Sequence, residues 1–123
     1  MLFASLFGSA LLLAMAADPA AESHVQEHLS VKEKLAATEP LVRSATDCIV
    51  RAVIADPRYR RSPPARLGDL IVDSMPACLT PVRAMIAAYD RYYGEGSGET
   101  FFMGPYLDVL PQAVLAGATK AGR

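Results

Sequence analysis

The chain has two cysteines, Cys48 and Cys78, separated by 30 residues. If they are oxidised within one chain they can bond only to each other, so the fold must place position 48 beside position 78. Closing a loop of this length stabilises a fold by about 3 to 4 kcal/mol in the chain-entropy treatment. The alternative is a pair of reduced, buried thiols, which a reducing compartment favours. No C-x-x-C spacing occurs, so the sequence gives no support for a thioredoxin-like redox site.

The N-terminal residues bear on the compartment. Between Leu2 and Ala17 only three residues lie outside the apolar set, and residues 14–16 read Ala-Met-Ala. An apolar run followed by an A-x-A sequence is typical of a secretory signal peptide, here residues 1–16. The run is shorter than the ~20 apolar residues that span a bilayer, so we predict a periplasmic or secreted protein without a stable membrane anchor. No Lys or Arg precedes the apolar run, and a buried N-terminal helix is the alternative interpretation.

The composition is that of one small globular domain. Hydrophobic residues make up 52% of the 123-residue chain and charged residues 20%, which excludes a disordered tail. The net charge of −1 provides no overall field to attract nucleic acid or an anionic membrane. No motif predicts a cofactor or a particular oligomeric state.

Apolar residues recur at helical spacing, and strand-like alternation does not persist anywhere in the chain. We therefore predict an all-α fold, a small bundle of about five short helices with one disulfide. The predicted organisation is a signal peptide at 1–16, a polar segment with a peripheral helix at 17–37, a helical domain at 38–117 and a frayed tail at 118–123.

Caps and prolines predict where individual helices begin and end. The second helix is predicted to begin with Thr38 as its N-cap, and the fourth with Thr80. Gly94 is predicted to end the fourth helix, and the glycine-rich residues 94–99 that follow are predicted to be flexible. Pro111 is predicted to kink or split the last helix, because its ring clashes with the carbonyl four residues earlier.

Three arginines, Arg58, Arg60 and Arg61, crowd a proline-rich segment between the second and third predicted helices. One interpretation is a contact for an anion or an acidic partner. The other is a solvated loop whose charges are balanced by carboxylates nearby in the sequence, Asp56 and Asp73 among them.

His24 and His28 flank Glu27 in an H-x-x-E-H spacing, which places two imidazoles one helical turn apart. This geometry suits a zinc ion, so a metal-dependent hydrolase is one hypothesis. A catalytic zinc also needs a third protein ligand and a packed cleft, whereas this segment is polar and close to the predicted cleavage site. We therefore interpret the two histidines as solvated and predict no metal site.

Aromatic residues are concentrated near the C-terminal third of the chain. Six of the seven that follow the leader lie between positions 89 and 106, interleaved with charges and glycines. Tyrosines gather at binding surfaces because they combine apolar area with a hydroxyl that tolerates water. The alternative is that the rings fold together into the core. The predicted partner or ligand surface consists of Tyr89, Tyr92, Tyr93, Glu95, Phe101, Phe102 and Tyr106.

These patterns favour an exported binding or interaction protein with a protein partner, which it contacts through Tyr92 and the glycine-rich loop. A carrier for a small apolar ligand is the alternative. Such a carrier requires a pocket enclosed by the helices around Met85, Tyr89, Phe102 and Leu110.

Overall fold

The computed structural model describes residues 29–61 and 67–121, and within these ranges the chain is helical with no strand. The predicted all-α class and the Cys48–Cys78 disulfide are confirmed. The helices are α1 (Val31–Ala55), α2 (Pro57–Arg61), α3 (Leu67–Ser74), a 3₁₀ turn (Met75–Cys78), α4 (Leu79–Tyr93), α5 (Ser97–Phe101), a π-helical turn (Phe102–Tyr106) and α6 (Leu107–Ala121).

The long helix α1 begins at a capping box, not at Thr38. The hydroxyl of Ser30 accepts the Glu33 N–H at 3.2 Å, and the Glu33 carboxylate accepts the Ser30 N–H at 2.8 Å. These reciprocal bonds satisfy two N–H groups that a helix start leaves unpaired. Thr38 is buried inside the helix, where its hydroxyl donates to the Lys34 carbonyl at 2.9 Å. The predicted boundary between a peripheral helix and a second helix is therefore wrong.

One face of α1 forms the centre of the core. Ala45, Ile49 and Val53 follow at four-residue spacing and are almost completely buried. This face packs against both α4 and α6. A helix at the centre of a small bundle buries its apolar stripe in this way, which fixes the positions of its neighbours. The partners in the core are Leu67, Leu70, Ile71, Val82, Met85, Tyr106, Leu110 and Val114.

The disulfide joins the middle of α1 to the start of α4. The Cα atoms of Cys48 and Cys78 are 5.9 Å apart, and Cys78 is fully buried. Thr80 is not an N-cap, because the 3₁₀ turn around Pro76 carries the chain directly from α3 into α4. Proline removes an N–H donor, and the tighter turn accommodates that loss without an extended cap residue.

The last helix, α6, contains Pro111 and is not split. Only the Leu107 carbonyl loses its helical partner to this proline, because the ring removes a single N–H near the start of the helix. The predicted frayed tail is helical as far as Ala121. Gly117 contributes to this order, because a Cβ atom at position 117 would overlap the Val50 side chain. The absence of that atom lets α6 lie close against α1.

One helical stretch of the described residues, Leu67–Tyr93, is long and apolar enough to cross a membrane by length and composition. One third of its most apolar window is buried inside the fold. The stretch also contains the 3₁₀ turn at Pro76, and Cys78 within it is bonded to α1. A single stretch that meets these criteria by length and composition carries no membrane assignment by itself.

Candidate functional site

The chain reverses direction after α4 through two glycines. Gly94 and Gly96 have φ angles of +110° and +87°, which side chains with a Cβ atom rarely adopt. The Gly94 N–H donates to the Asp90 carbonyl at 3.0 Å and ends the helix as predicted. The prediction of a flexible loop over residues 94–99 is wrong, because α5 begins within it at Ser97.

Side-chain hydrogen bonds hold this reversal against α4. The Ser97 hydroxyl lies 2.6 Å from the Gly94 carbonyl oxygen and 2.9 Å from the Tyr89 carbonyl oxygen. The Asp90 carboxylate accepts the Gly98 N–H at 2.8 Å. Because Tyr89 and Asp90 lie on α4, these bonds hold the start of α5 against the end of α4. The loop is therefore ordered by contacts that composition does not reveal.

Gly98 also lets the two helices approach each other closely. It is buried, and a Cβ atom at this position would overlap the backbone carbonyl of Ile86. Any larger residue must push α5 away from α4. Gly98 therefore sets the distance between the two helices that carry the aromatic residues.

The aromatic side chains form a continuous series from the core to the surface. The rings of Tyr93 and Tyr89 are 5.2 Å apart, and those of Tyr89 and Phe101 are 4.0 Å apart and nearly parallel. The series continues from Phe101 to Tyr106 at 5.6 Å and from Tyr106 to Phe102 at 6.0 Å. Tyr106 is buried, whereas Tyr93 is 39% exposed. The core interpretation of the aromatic cluster therefore applies to its inner end, and the binding-surface interpretation applies to its outer end.

At its inner end the series is fixed by a hydrogen bond to α1. The Tyr106 hydroxyl lies 2.9 Å from the Thr46 hydroxyl, which also donates to the Val42 carbonyl at 2.7 Å. Burial raises the pKa of Tyr106, the hydrogen bond to Thr46 lowers it, and the charge of Asp47 raises it. The buried phenol thus has a partner for its polar atom and stays neutral.

At its outer end the series borders an open groove of about 600 Å³, called here the aromatic groove. Three aromatic side chains and a proline line this groove, together with residues of the glycine reversal. Glu95 is its one charged lining residue. The residues that line the aromatic groove are Tyr89, Tyr93, Glu95, Gly96, Ser97, Thr100, Phe101 and Pro105.

The first turns of α1 lie beside these rings, which sequence analysis missed. The Lys34 ammonium lies 5.4 Å from the centre of the Tyr93 ring, within the range of a cation–π contact. Burial raises the pKa of Tyr89, as does the neighbouring Tyr93, whereas a hydrogen bond with Thr38 lowers it. The signal that could have revealed this contact is the capping box at Ser30, which extends α1 by two turns.

Tyr92 lies apart from the aromatic groove. It lines a second, smaller hollow of about 270 Å³, together with Leu41 and Ala88. The Arg91 guanidinium lies 5.8 Å from the centre of its ring. The sequence places Tyr92 beside Tyr93, but consecutive helical residues point about 100° apart, so the two tyrosines serve different surfaces.

The arginine cluster is divided between paired and exposed side chains. Arg58 contacts Asp56 through two of its nitrogens at 2.8 and 3.1 Å, and Asp73 at 2.9 Å. The hydrogen bonds from Arg58 lower the pKa of Asp56 to about 2, and the two carboxylates together raise the pKa of Arg58. Arg60 and Arg61 are exposed on α2. An anion contact through these two residues stays a prediction.

The remaining sequence hypotheses concern catalysis and a ligand pocket. His24, Glu27 and His28 lie outside the described residues. Met85 and Leu110, proposed to enclose a carrier pocket, are fully buried in the core and line neither hollow described above.

Reactive groups are scarce in the part of the chain that the structure describes. It contains no cluster of three side chains suited to hold a metal ion, and the Ser97 hydroxyl is committed to backbone carbonyls. Comparison of the chain with protein-family models, with curated proteins and with solved structures returned no match. The aromatic groove is therefore interpreted from its own chemistry, which consists of aromatic surface, backbone polar groups and one carboxylate.

Proposed function

We propose that the protein is an exported binding protein that holds a segment of a protein partner in the aromatic groove. The observation that carries this proposal is the exposure of stacked aromatic surface at Tyr89, Tyr93 and Phe101 along an open depression. Aromatic side chains contribute large contact areas with little conformational entropy to lose, and they are enriched where proteins bind each other.

The support beneath the groove favours binding by a preformed surface. Disulfide bonding holds the start of α4, and the contacts of Ser97 and Gly98 hold the end of α4 against α5. A surface held in this way loses little freedom when a partner binds, so more of the interaction energy contributes to affinity.

The openness of the groove favours a chain segment over a small apolar molecule. Pockets for small ligands usually bury most of the ligand surface, whereas this groove leaves one side of its occupant in water. A peptide segment has polar backbone groups that remain hydrated on that side, and it can continue beyond the groove in both directions.

Export is supported by the apolar leader at residues 1–16 and by the disulfide. Intact mass spectrometry of the protein recovered from outside the cytoplasm, with and without reductant, tests this part of the proposal. The expected product has lost the leader and gains two hydrogens on reduction. Full-length chain with two alkylatable thiols in the cytosol would contradict it.

The binding role is tested with two matched threonine variants. Thr100 lines the aromatic groove, and Thr119 is an exposed residue of α6 whose hydroxyl bonds to the carbonyl four residues earlier in the same way. Thr100→Trp fills the groove, whereas Thr119→Trp adds the same bulk elsewhere. We expect a partner from the exported fraction to bind the wild type and Thr119→Trp but not Thr100→Trp. Equal binding by all three proteins would refute the groove as the site.

A further inference from the structure

The carboxylates beside the aromatic groove have no ion-pair partner among the described residues. Glu95 lines the groove, and Glu99 is exposed on α5 one helical turn further along the chain. Neither residue takes part in the ion pairs found among residues 29–61 and 67–121. A carboxylate without a counter-ion at the edge of an apolar surface provides a favourable position for a cation from a partner.

The rings themselves favour the same sign of charge. Aromatic faces carry negative electrostatic potential, and the structure already places a cation, Lys34, over Tyr93. Lys34 has no carboxylate partner in the ion pairs of the described chain. The ammonium is therefore held near the groove by the ring and not by a salt bridge.

We propose that the partner segment presents a lysine or arginine side chain to Glu95, with apolar residues beside it on Tyr89, Phe101 and Pro105. This inference rests on the proposed function and specifies the chemistry of the partner. The apolar part buries against the stacked rings, and the cation pairs with the carboxylate while it contacts an aromatic ring.

The preceding residues of the same chain do not have this chemistry. Residues 17–28 carry Asp18, Glu22 and Glu27 and no lysine or arginine. The acidic segment would be repelled by Glu95, so charge complementarity favours an occupant from another protein over the chain's own N-terminal segment.

Selection from a random 12-residue peptide library tests the inference. The oxidised protein serves as the target, and Thr100→Trp is used to remove peptides that bind elsewhere. We expect the groove-dependent peptides to share a lysine or arginine next to apolar residues. Replacing that cation by norleucine should weaken binding about tenfold, from the loss of an exposed ion pair and a cation–π contact together.

Charge variants separate recognition at the groove from the overall charge of the protein. Glu95→Gln should weaken binding of a selected cationic peptide about threefold and leave its norleucine form unaffected. Asp69→Asn removes the same charge from an exposed position on α3 and should change neither affinity. The Glu95 effect should shrink in high salt, because exposed ion pairs are screened.

Three outcomes would overturn the inference, and they have different consequences for the proposed function. Groove-dependent peptides without a cation, or a Glu95→Gln variant with unchanged affinity, refute the cationic partner and leave the groove as a binding site. A dimer that is abolished by Thr100→Trp identifies a second copy as the occupant instead. The absence of any groove-dependent peptide refutes both the inference and the proposed function.

Discussion

Removal of the Cys48–Cys78 disulfide is expected to lower the free energy of unfolding by about 3.6 kcal/mol. The sequence separation is 30 residues, and the chain-entropy treatment gives a loss of about 12 cal/mol/K for a loop of that length. The Cα separation of 5.9 Å lies within the usual range for disulfides, so the full entropic gain should be realised. A domain of this size has a total stability of roughly 5 to 10 kcal/mol, so the loss is a large part of it.

The assay is urea unfolding followed by circular dichroism. The oxidised protein is compared with the reduced wild type and with the double variant Cys48→Ala, Cys78→Ala. The midpoint should fall by about 2 to 3 M for a protein of this size. Reduced wild type serves as the packing control, because Cys78 is fully buried and its replacement by alanine also removes contacts in the core.

A loss below about 1 kcal/mol in the reduced wild type would refute the reasoning. It would mean either that the denatured chain already holds the two positions close together or that the cross-link strains the native fold. A large loss in the double variant combined with a small loss on reduction would assign the effect to packing around Cys78 and not to loop closure.

Three further predictions concern the contacts that order the fold. Gly98→Ala should destabilise the protein by about 2 kcal/mol in urea unfolding. Gly104→Ala is the control and should change stability by less than about 0.5 kcal/mol, because a Cβ atom there meets nothing within 4 Å. Equal effects would contradict the close approach of α5 to α4 at Gly98. A double-mutant cycle of Thr46→Val and Tyr106→Phe should give a coupling energy of about 1 kcal/mol, and additive losses would exclude the hydrogen bond. The folded-state pKa of Asp56 is lowered to about 2 from 3.8, so its contribution to stability is complete above about pH 4 and is lost as the pH falls towards 2. Asp56→Asn should therefore reduce the dependence of unfolding on pH between about pH 4 and 2. An unchanged pH profile would contradict the ion pair.

Helical periodicity predicts the core well, because it depends on the local spacing of apolar residues. The stripe through Ala45, Ile49 and Val53 is visible in the sequence and is buried as predicted. The disulfide follows from the presence of only two cysteines. Both inferences need no knowledge of how distant parts of the chain meet.

Prolines and caps were less informative, because their effects depend on competing local signals. Pro40 and Pro111 each lie inside a continuous helix, where each removes one N–H donor without ending the helix. The capping box at Ser30 supplies a start for α1 that precedes Thr38 by two turns. A single proline therefore costs too little to end a helix that is capped earlier and packed along its length.

The sequence predicts that the aromatic residues of the candidate site cluster, but it does not predict the tertiary contacts that arrange them. Tyr89, Tyr93 and Phe101 come together as their proximity in the sequence suggests. The position of Lys34 over Tyr93 depends on tertiary packing between α1 and α4, which periodicity does not specify. Similarly, the order of the glycine-rich loop depends on Asp90 accepting the N–H of a residue eight positions later.

Photo-crosslinking in living cells is the most direct test of the aromatic groove as a partner site. A photoreactive phenylalanine derivative placed at Thr100 should form a covalent adduct with a partner protein on irradiation, because this side chain lines the groove. The same residue placed at Thr119 is the control. A discrete adduct from position 100 that is absent from position 119 is the predicted result; no adduct at position 100, or the same adducts from both positions, would contradict a partner bound in the aromatic groove.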